Sequence, residues 1–188
     1  WFQVGCSVSP DKTCDLSRRY PKSSPALRVA GEQQHLVPLR CVVQHALHQI
    51  EPLAVGLQGV RKAQMPIGCR ALVLGAGPIG LASAFWARRL GASRVVVMAH
   101  SKRREPFARA LGATGFIAAG EVAVAGAAIN DALGGPPEVV FEAVGAAGSV
   151  ARAMEYVAPR GLVVALGITS EPESYSCLVA IMKEVRVW

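Results

Sequence analysis

Gly75, Gly77 and Gly80 stand in the order Gly-x-Gly-x-x-Gly, directly after the apolar run Arg70-Ala-Leu-Val-Leu74 and before a stretch with helical apolar spacing. That setting gives the spacing its chemistry. The first glycine permits a tight turn out of a strand. The second lets backbone approach a pyrophosphate, and the third lets the following helix pack close to the strand. Pro78 falls at the first helical position, where its missing N–H has no helical acceptor to lose. The amides of Ile79 and Gly80 then point at a phosphate, with the helix dipole behind them. The chemistry implied is the seating of a dinucleotide. The plain alternative is an ordinary Gly-rich strand–helix turn, and the further alternating elements downstream weigh against it.

The end of the second strand decides which dinucleotide. An NAD-type site places an acidic residue there to hydrogen-bond the ribose 2′-hydroxyl. Here the run Arg94-Val-Val-Val-Met98 leads into Ala99-His100-Ser101-Lys102-Arg103-Arg104, with no carboxylate before Glu105. Nothing in that stretch repels a 2′-phosphate, and Ser101, Lys102, Arg103, Arg104 and His100 offer donors and positive charge to one. The residues favour NADP over NAD. A solvated basic helix face is the plain alternative.

Other residue types capable of chemistry are sparse. His45 and His48 are three apart and share a helix face if that stretch is helical, but no Cys or carboxylate accompanies them at ligand spacing. They read as surface or core histidines. The cysteines Cys6, Cys14, Cys41, Cys69 and Cys177 are odd in number and far apart, the pattern of reduced thiols.

The elements that must position the glycine turn alternate in kind. Apolar runs at Arg70–Leu74, Arg94–Met98, Phe116–Ala118, Glu138–Phe141 and Gly161–Leu166 read as strands, and Val185–Trp188 begins a sixth. Helical spacing covers Pro78–Leu90, a basic segment capped by Ser101 and reaching about Leu111, Val122–Leu133, Ser149–Val157 and Tyr175–Lys183. Gly91 and Gly112 follow two of these helices as stops. Strands apolar along their whole length suit a parallel sheet covered on both faces. The fold class is α/β, a doubly wound parallel sheet. Before Glu51-Pro52 the chain is polar and irregular, punctuated by Pro10, Pro21, Pro25 and Pro38.

Composition bounds the rest. The 188 residues are 52% hydrophobic and 18% charged, enough apolar material for a sizeable core. The net charge is +7, yet the basic residues are scattered and aromatics make up only 6%, so a nucleic-acid surface is not expected. No apolar run approaches the roughly 18 residues of a membrane-spanning helix. The chain opens on Trp1 without the order of a signal peptide and closes on Val185-Arg186-Val187-Trp188 with no turn after it; both ends read as cuts within a longer protein.

Glu51-Pro52-Leu53-Ala54-Val55, the glycine turn and Arg94-Val-Val-Val97 form an ordered set that resembles the medium-chain dehydrogenases. The likeness is to the zinc-type polyol and threonine branch that includes sorbitol and idonate dehydrogenases, and it runs from Glu51 to Trp188. Phe141-Glu142-Ala143-Val144-Gly145 is similar to the family's segment after the fourth strand, and the likeness implies that this segment, with Ala143, Val144 and Gly145 at the cofactor, lines a nicotinamide riboside. It implies too that the backbone of Leu166, Gly167 and Ile168, after the fifth, meets the carboxamide. Ala99–Arg104 is similar to the NADP-preferring members. Glu51 matches a family glutamate at or near a catalytic zinc, and it is the sole catalytic and metal-binding residue the resemblance carries over. The family's further zinc ligands, a Cys and a Gly-His-Glu segment, have no match here. Cys6 and Cys14 resemble the last two of four cysteines in the family's structural zinc lobe, but Gln3 stands where another would fall. Two thiolates cannot close a tetrahedral site, so free thiols are expected. Gly31–Val43 is similar to the strand region after that lobe.

On this resemblance, residues 1–50 are part of an irregular, β-rich catalytic domain and 51–188 a Rossmann domain. The implied activity is hydride transfer between NADP(H) and a secondary alcohol or polyol, zinc-dependent in the full-length protein. A small alcohol or ketone is the expected partner, the location cytoplasmic and the full-length state homo-oligomeric. Two other functions stay open. A non-catalytic or degenerate dinucleotide-binding module is favoured by the unmatched zinc ligands. A zinc-independent quinone or enoyl-type reductase is disfavoured by Glu51-Pro52 and the Cys6/Cys14 pair.

Overall fold

The computed structural model describes residues 26–27, 37–121 and 125–188, with side chains at 50–120 and 125–188. The expectations for Gln3, Cys6, Cys14, most of Gly31–Val43 and the start of the Val122 helix lie outside the described residues, as do the side chains of Cys41, His45 and His48. The chain divides into two compact units, Trp1–Leu47 and His48–Trp188. In the first, strands β1 (Ala26–Leu27) and β2 (Val37–Pro38) pair antiparallel.

Helix α1 runs from Leu39 to Ala63, through Pro52. The reading of the chain before Glu51-Pro52 as polar and irregular is corrected from Leu39 onward, and the helix continues through Pro52, Gly56 and Gly59, which are poor helix formers. Packing overrides that preference. A Cβ on Gly56 would sit 2.8 Å from the Ala82 Cβ, and one on Gly59 would sit 2.9 Å from Leu166 Cδ2. Both glycines thus let α1 lie close against its neighbours, and the Trp86 indole Nε1–H donates to Leu53 O at 2.9 Å.

Beyond α1 the elements alternate: β3 (Arg70–Leu74), α2 (Pro78–Arg89), β4 (Arg94–Ala99), α3 (Glu105–Ala110), β5 (Gly115–Ala118), α4 (Ala125–Leu133), β6 (Val139–Glu142), α5 (Ser149–Tyr156), β7 (Leu162–Ala165), α6 (Cys177–Lys183) and β8 (Arg186–Val187). The six strands from β3 onward form one parallel sheet in the order β5-β4-β3-β6-β7-β8. The chain steps outward from β3 to β5, then returns to the other side of β3. That reversal opens a crevice at the C-terminal ends of β3 and β6, where doubly wound sheets bind ligands.

The sheet's two faces explain why its strands are apolar throughout. Ala71 and Val73 of β3 join Val95 and Val97 of β4 in one core cluster, which takes in Val60 of α1, Ala84 and Ala87 of α2 and Ala108 of α3. Leu72 and Leu74 join Val96 and Met98 in the other, with Ile129 and Leu133 of α4 and Met154 of α5. Alternate side chains of each strand thus enter opposite cores, both covered by helices. The doubly wound fold read from the sequence is the fold observed, with shorter outer elements: the helix expected from Tyr175 starts at Cys177, and Val185–Trp188 contributes the strand Arg186–Val187. No described helix is long and apolar enough to cross a membrane.

One local expectation is corrected. Ser101 occupies an N-cap position, but its side chain makes no capping hydrogen bond, and the turn it precedes is a 3-10 turn, Lys102–Arg104, before α3 begins at Glu105. Pro106 supplies the reason. It has no N–H to bond Lys102 O, so an α-helix begun at Lys102 would lose a bond there, and Glu105 N–H takes that carbonyl instead.

Candidate functional site

The phosphate turn is built by backbone geometry. Gly75 leaves β3 with φ +97, in the left-handed region that disfavours side chains. Its N–H donates to Met98 O at 2.8 Å, while Ala143 N–H donates to Leu74 O at 2.9 Å, so the ends of β4, β3 and β6 are tied together. A Cβ on Gly80 would collide with Gly75 O, and it would stand 3.3 Å from Val73 Cγ1. This glycine is what lets α2 seat against β3. Gly77 is different: its φ of −69 and ψ of 175 are open to any residue, and the nearest atom to a Cβ there is Arg104 Nη1, at 4.0 Å. Space above Gly77 is therefore free for a ligand to approach the backbone. The first bond of α2 runs from Leu81 N–H to Gly77 O at 2.9 Å, leaving the Ile79 and Gly80 amides at the helix's open end, with Pro78 at its start.

A cleft of about 540 Å³ opens on this turn. One wall comes from the end of β4 and the residues after it: Ala99, His100, Ser101, Arg103 and Arg104. The Arg104 Nη1 donates to Ala76 O at 2.8 Å, so one arm of its guanidinium secures the turn itself. The Arg103 guanidinium lines the cleft with no hydrogen bond or ion pair among the described residues. The opposite wall holds Ala143, Val144 and Ala146 after β6, and Ser149 and Arg152 on α5. Glu173 secures that wall from behind: its carboxylate accepts Gly148 N–H at 3.0 Å and Val150 N–H at 3.4 Å, at the start of α5. Lys183 Nζ donates at the other end of α5 to Glu155 O at 2.6 Å and Val157 O at 2.9 Å.

The nicotinamide-side residues suggested by the resemblance divide. Ala143 and Val144 line the cleft, whereas Gly145, Leu166, Gly167 and Ile168 stand beside it. They meet backbone to backbone. A Cβ on Gly145, where φ is +68, would fall 2.7 Å from both Ile168 N and Ile168 O, and one on Gly167 would strike the Gly145 amide. Ile168 itself is 87% exposed. Sequence reasoning missed Arg152 and Ser149, which share a helix face three residues apart but carry no motif. Glu142, the last residue of β6, lies in the Phe141–Gly145 segment singled out by the resemblance, but the sequence assigned its carboxylate no role: Oε1 accepts Val144 N–H at 2.7 Å and Gly145 N–H at 3.0 Å.

The metal expectation receives less. Glu51 is exposed on α1 and is not part of the cleft lining. Among the described residues no group of three His, Cys, Asp or Glu side chains could hold a metal ion. Zinc needs four ligands for a closed site and three for a catalytic one, so the described residues do not compose a zinc centre.

Comparison with known proteins follows the same line. Residues 78–188 match the family model described as zinc-binding dehydrogenase. The chain is 35% identical over 141 residues to the sorbitol dehydrogenase of Macaca fascicularis, covering 73% of this chain and 39% of that protein. Among solved structures, 2R,3R-butanediol dehydrogenase from Bacillus subtilis superposes with TM-score 0.69 at 28% identity, over 74% of this chain and 40% of that one. A zinc-binding dehydrogenase from Sinorhizobium meliloti, solved bound to NADP, superposes with TM-score 0.64 at 28% identity, over 72% and 41%. The chain thus spans about two fifths of the length of these relatives. With the glycine turn, the six-stranded order and the cleft at its switch point in place, this chain belongs to the zinc-binding dehydrogenase family.

Proposed function

We propose that the cleft holds NADP(H), and that the full-length protein transfers a hydride between it and a secondary alcohol or polyol. The observation that carries the cofactor choice is the acid-free end of β4: Ser101, Arg103 and His100 line the cleft where an NAD-selective carboxylate would stand. The open space over Gly77 fits a pyrophosphate, and the NADP bound to the Sinorhizobium relative supports the same reading. When bound, NADP accepts or returns the hydride. The chain's own residues do the rest. Ile79 and Gly80 amides face the phosphates, Arg103 neutralises the 2′-phosphate, and Arg104 steadies the turn through Ala76 O. Ala143, Val144 and Gly145, with Leu166, Gly167 and Ile168, hold the nicotinamide end.

Zinc dependence, the alcohol substrate, a cytoplasmic location, homo-oligomerisation and the division at residue 50 belong to this reading through the family alone. Glu51 is the one residue of a zinc centre it assigns to this chain.

The test is a titration of NADP and NAD against the 188-residue chain. NADP binds more tightly, and the Arg103→Ala, Arg104→Ala double variant loses that preference. Each charge-assisted contact is worth about 1.5–3 kcal/mol, so the loss is on the order of tenfold or more. Equal affinity of the unaltered chain for both nucleotides sinks the 2′-phosphate argument.

A further inference from the structure

Glu142 is 1% exposed, and among the described residues it is the one carboxylate so deeply buried. Removing a carboxylate from water costs several kcal/mol unless hydrogen bonds compensate, so a residue of this kind at the end of a core strand has a structural demand to meet. Its bonds identify the demand. The carboxylate Oε1 accepts Val144 N–H at 2.7 Å and Gly145 N–H at 3.0 Å, holding the loop after β6. The main-chain oxygen of the same residue accepts Leu166 N–H at 2.7 Å and Gly167 N–H at 2.9 Å, holding the loop after β7. One residue therefore sets the register of two loops. Gly145 and Gly167 close the arrangement: a Cβ on Gly167 would stand 2.7 Å from Glu142 Oε2 and would press on the Gly145 backbone. No side chain separates the loops, so whatever fixes one fixes the other.

We infer that Glu142 is the positioning residue for the nicotinamide end of the cofactor, its carboxylate acting through the amides of Val144 and Gly145 without touching the cofactor. This rests on the reading that these loops face the nicotinamide. Two amides held by the carboxylate, with two more on the main-chain oxygen of the same residue, keep Val144, 54% exposed, in place before the ligand arrives. The opposite end of the dinucleotide is seated on the glycine turn and the β4 wall, to which the Glu142 carboxylate makes no hydrogen bond among the described residues. Glu142 should therefore govern the half of the ligand that carries the hydride and leave the adenosine half alone.

That split is the experiment. NADPH and adenosine 2′,5′-bisphosphate, which lacks the nicotinamide half, are titrated calorimetrically against the 188-residue chain and its Glu142→Gln variant. Gln keeps the volume but replaces a charged acceptor with a neutral one of about half the strength. The expected result is NADPH weakened about tenfold and the bisphosphate weakened less than about twofold. Equal weakening of both ligands, or of neither, overturns the inference. Should the variant fail to fold, amide exchange in the unaltered, ligand-free chain decides: the Val144 and Gly145 amides are already protected by Glu142, and rapid exchange of either overturns the positioning role. A chain that binds neither nucleotide refutes the cofactor reading itself, whereas one that binds NADPH normally yet shows no split refutes the role of Glu142 alone.

Discussion

On the β4 wall of the cleft, His100, Ser101, Arg103 and Arg104 are exposed, and of their side chains only that of Arg104 is fastened by a hydrogen bond among the described residues, to Ala76 O. On the β6 wall, the determining group is a buried carboxylate whose partners are backbone amides two and three residues away. The first wall carries charge that a ligand can meet; the second carries shape that a ligand must fit. Charge on exposed side chains can be removed with little cost to the fold, since solvent replaces what is lost there, even where a ligand is weakened. Shape built from backbone contacts does not, because a single methyl group has nowhere to go.

The glycine turn lets that comparison be broken most sharply. Gly80→Ala puts a methyl against Gly75 O and forces α2 off β3, so it destabilises the fold by about 3 kcal/mol, seen as a large fall in melting temperature. Gly77→Ala meets no atom within hydrogen-bonding range and should leave the melting temperature nearly unchanged, within about 0.5 kcal/mol, while weakening NADP roughly tenfold by calorimetry. If both variants lost stability alike, the open space over Gly77 would not be a ligand's space.

Salt sharpens the contrast between the walls. The screening length is about 8 Å at physiological ionic strength, so the advantage Arg103 gives NADP over NAD should shrink severalfold between 50 mM and 500 mM salt. The effect of Glu142→Gln, which acts inside the fold, should stay constant over the same range. A salt-insensitive preference for NADP would move the source of selectivity away from the β4 wall.

Smaller effects follow from the scaffold. Lys183→Ala removes a donor shared by Met154 O, Glu155 O and Val157 O at the end of α5, and should cost about 1 kcal/mol in a denaturant titration. Burial, with the Glu138 carboxylate adding to it, raises the Cys69 thiol above its ordinary range, whereas Cys177 is exposed. A raised thiol holds less thiolate at a given pH, so an alkylating reagent near neutrality should label Cys177 and spare Cys69 until the chain unfolds, as peptide mass spectrometry would read.

Much of the scaffold was legible in the sequence because its signals are local. Strands buried on both faces write themselves as runs such as Arg94-Val-Val-Val-Met98, and a strand-to-helix turn that must pass a phosphate needs glycine at fixed offsets. Helix α1 was not legible, since Gly56, Gly59 and Pro52 argue against a helix until Ala82 and Leu166 are known to press on it. On the opposite wall Ala143 and Val144 were named through the resemblance, but Ser149 and Arg152 were hidden, because they acquire meaning only when α5 lies beside the glycine turn.

By itself the sequence determined the alternation of elements, the glycine turn and the absence of a carboxylate at the end of β4, because each depends on neighbours along the chain. Tertiary structure decided that Arg104 clamps Ala76, that Gly77 faces open space while Gly80 faces backbone, and that Glu142 joins two loops. Those outcomes depend on which strands stand side by side, and β3 and β6, separated by more than sixty residues in sequence, meet only when the sheet forms.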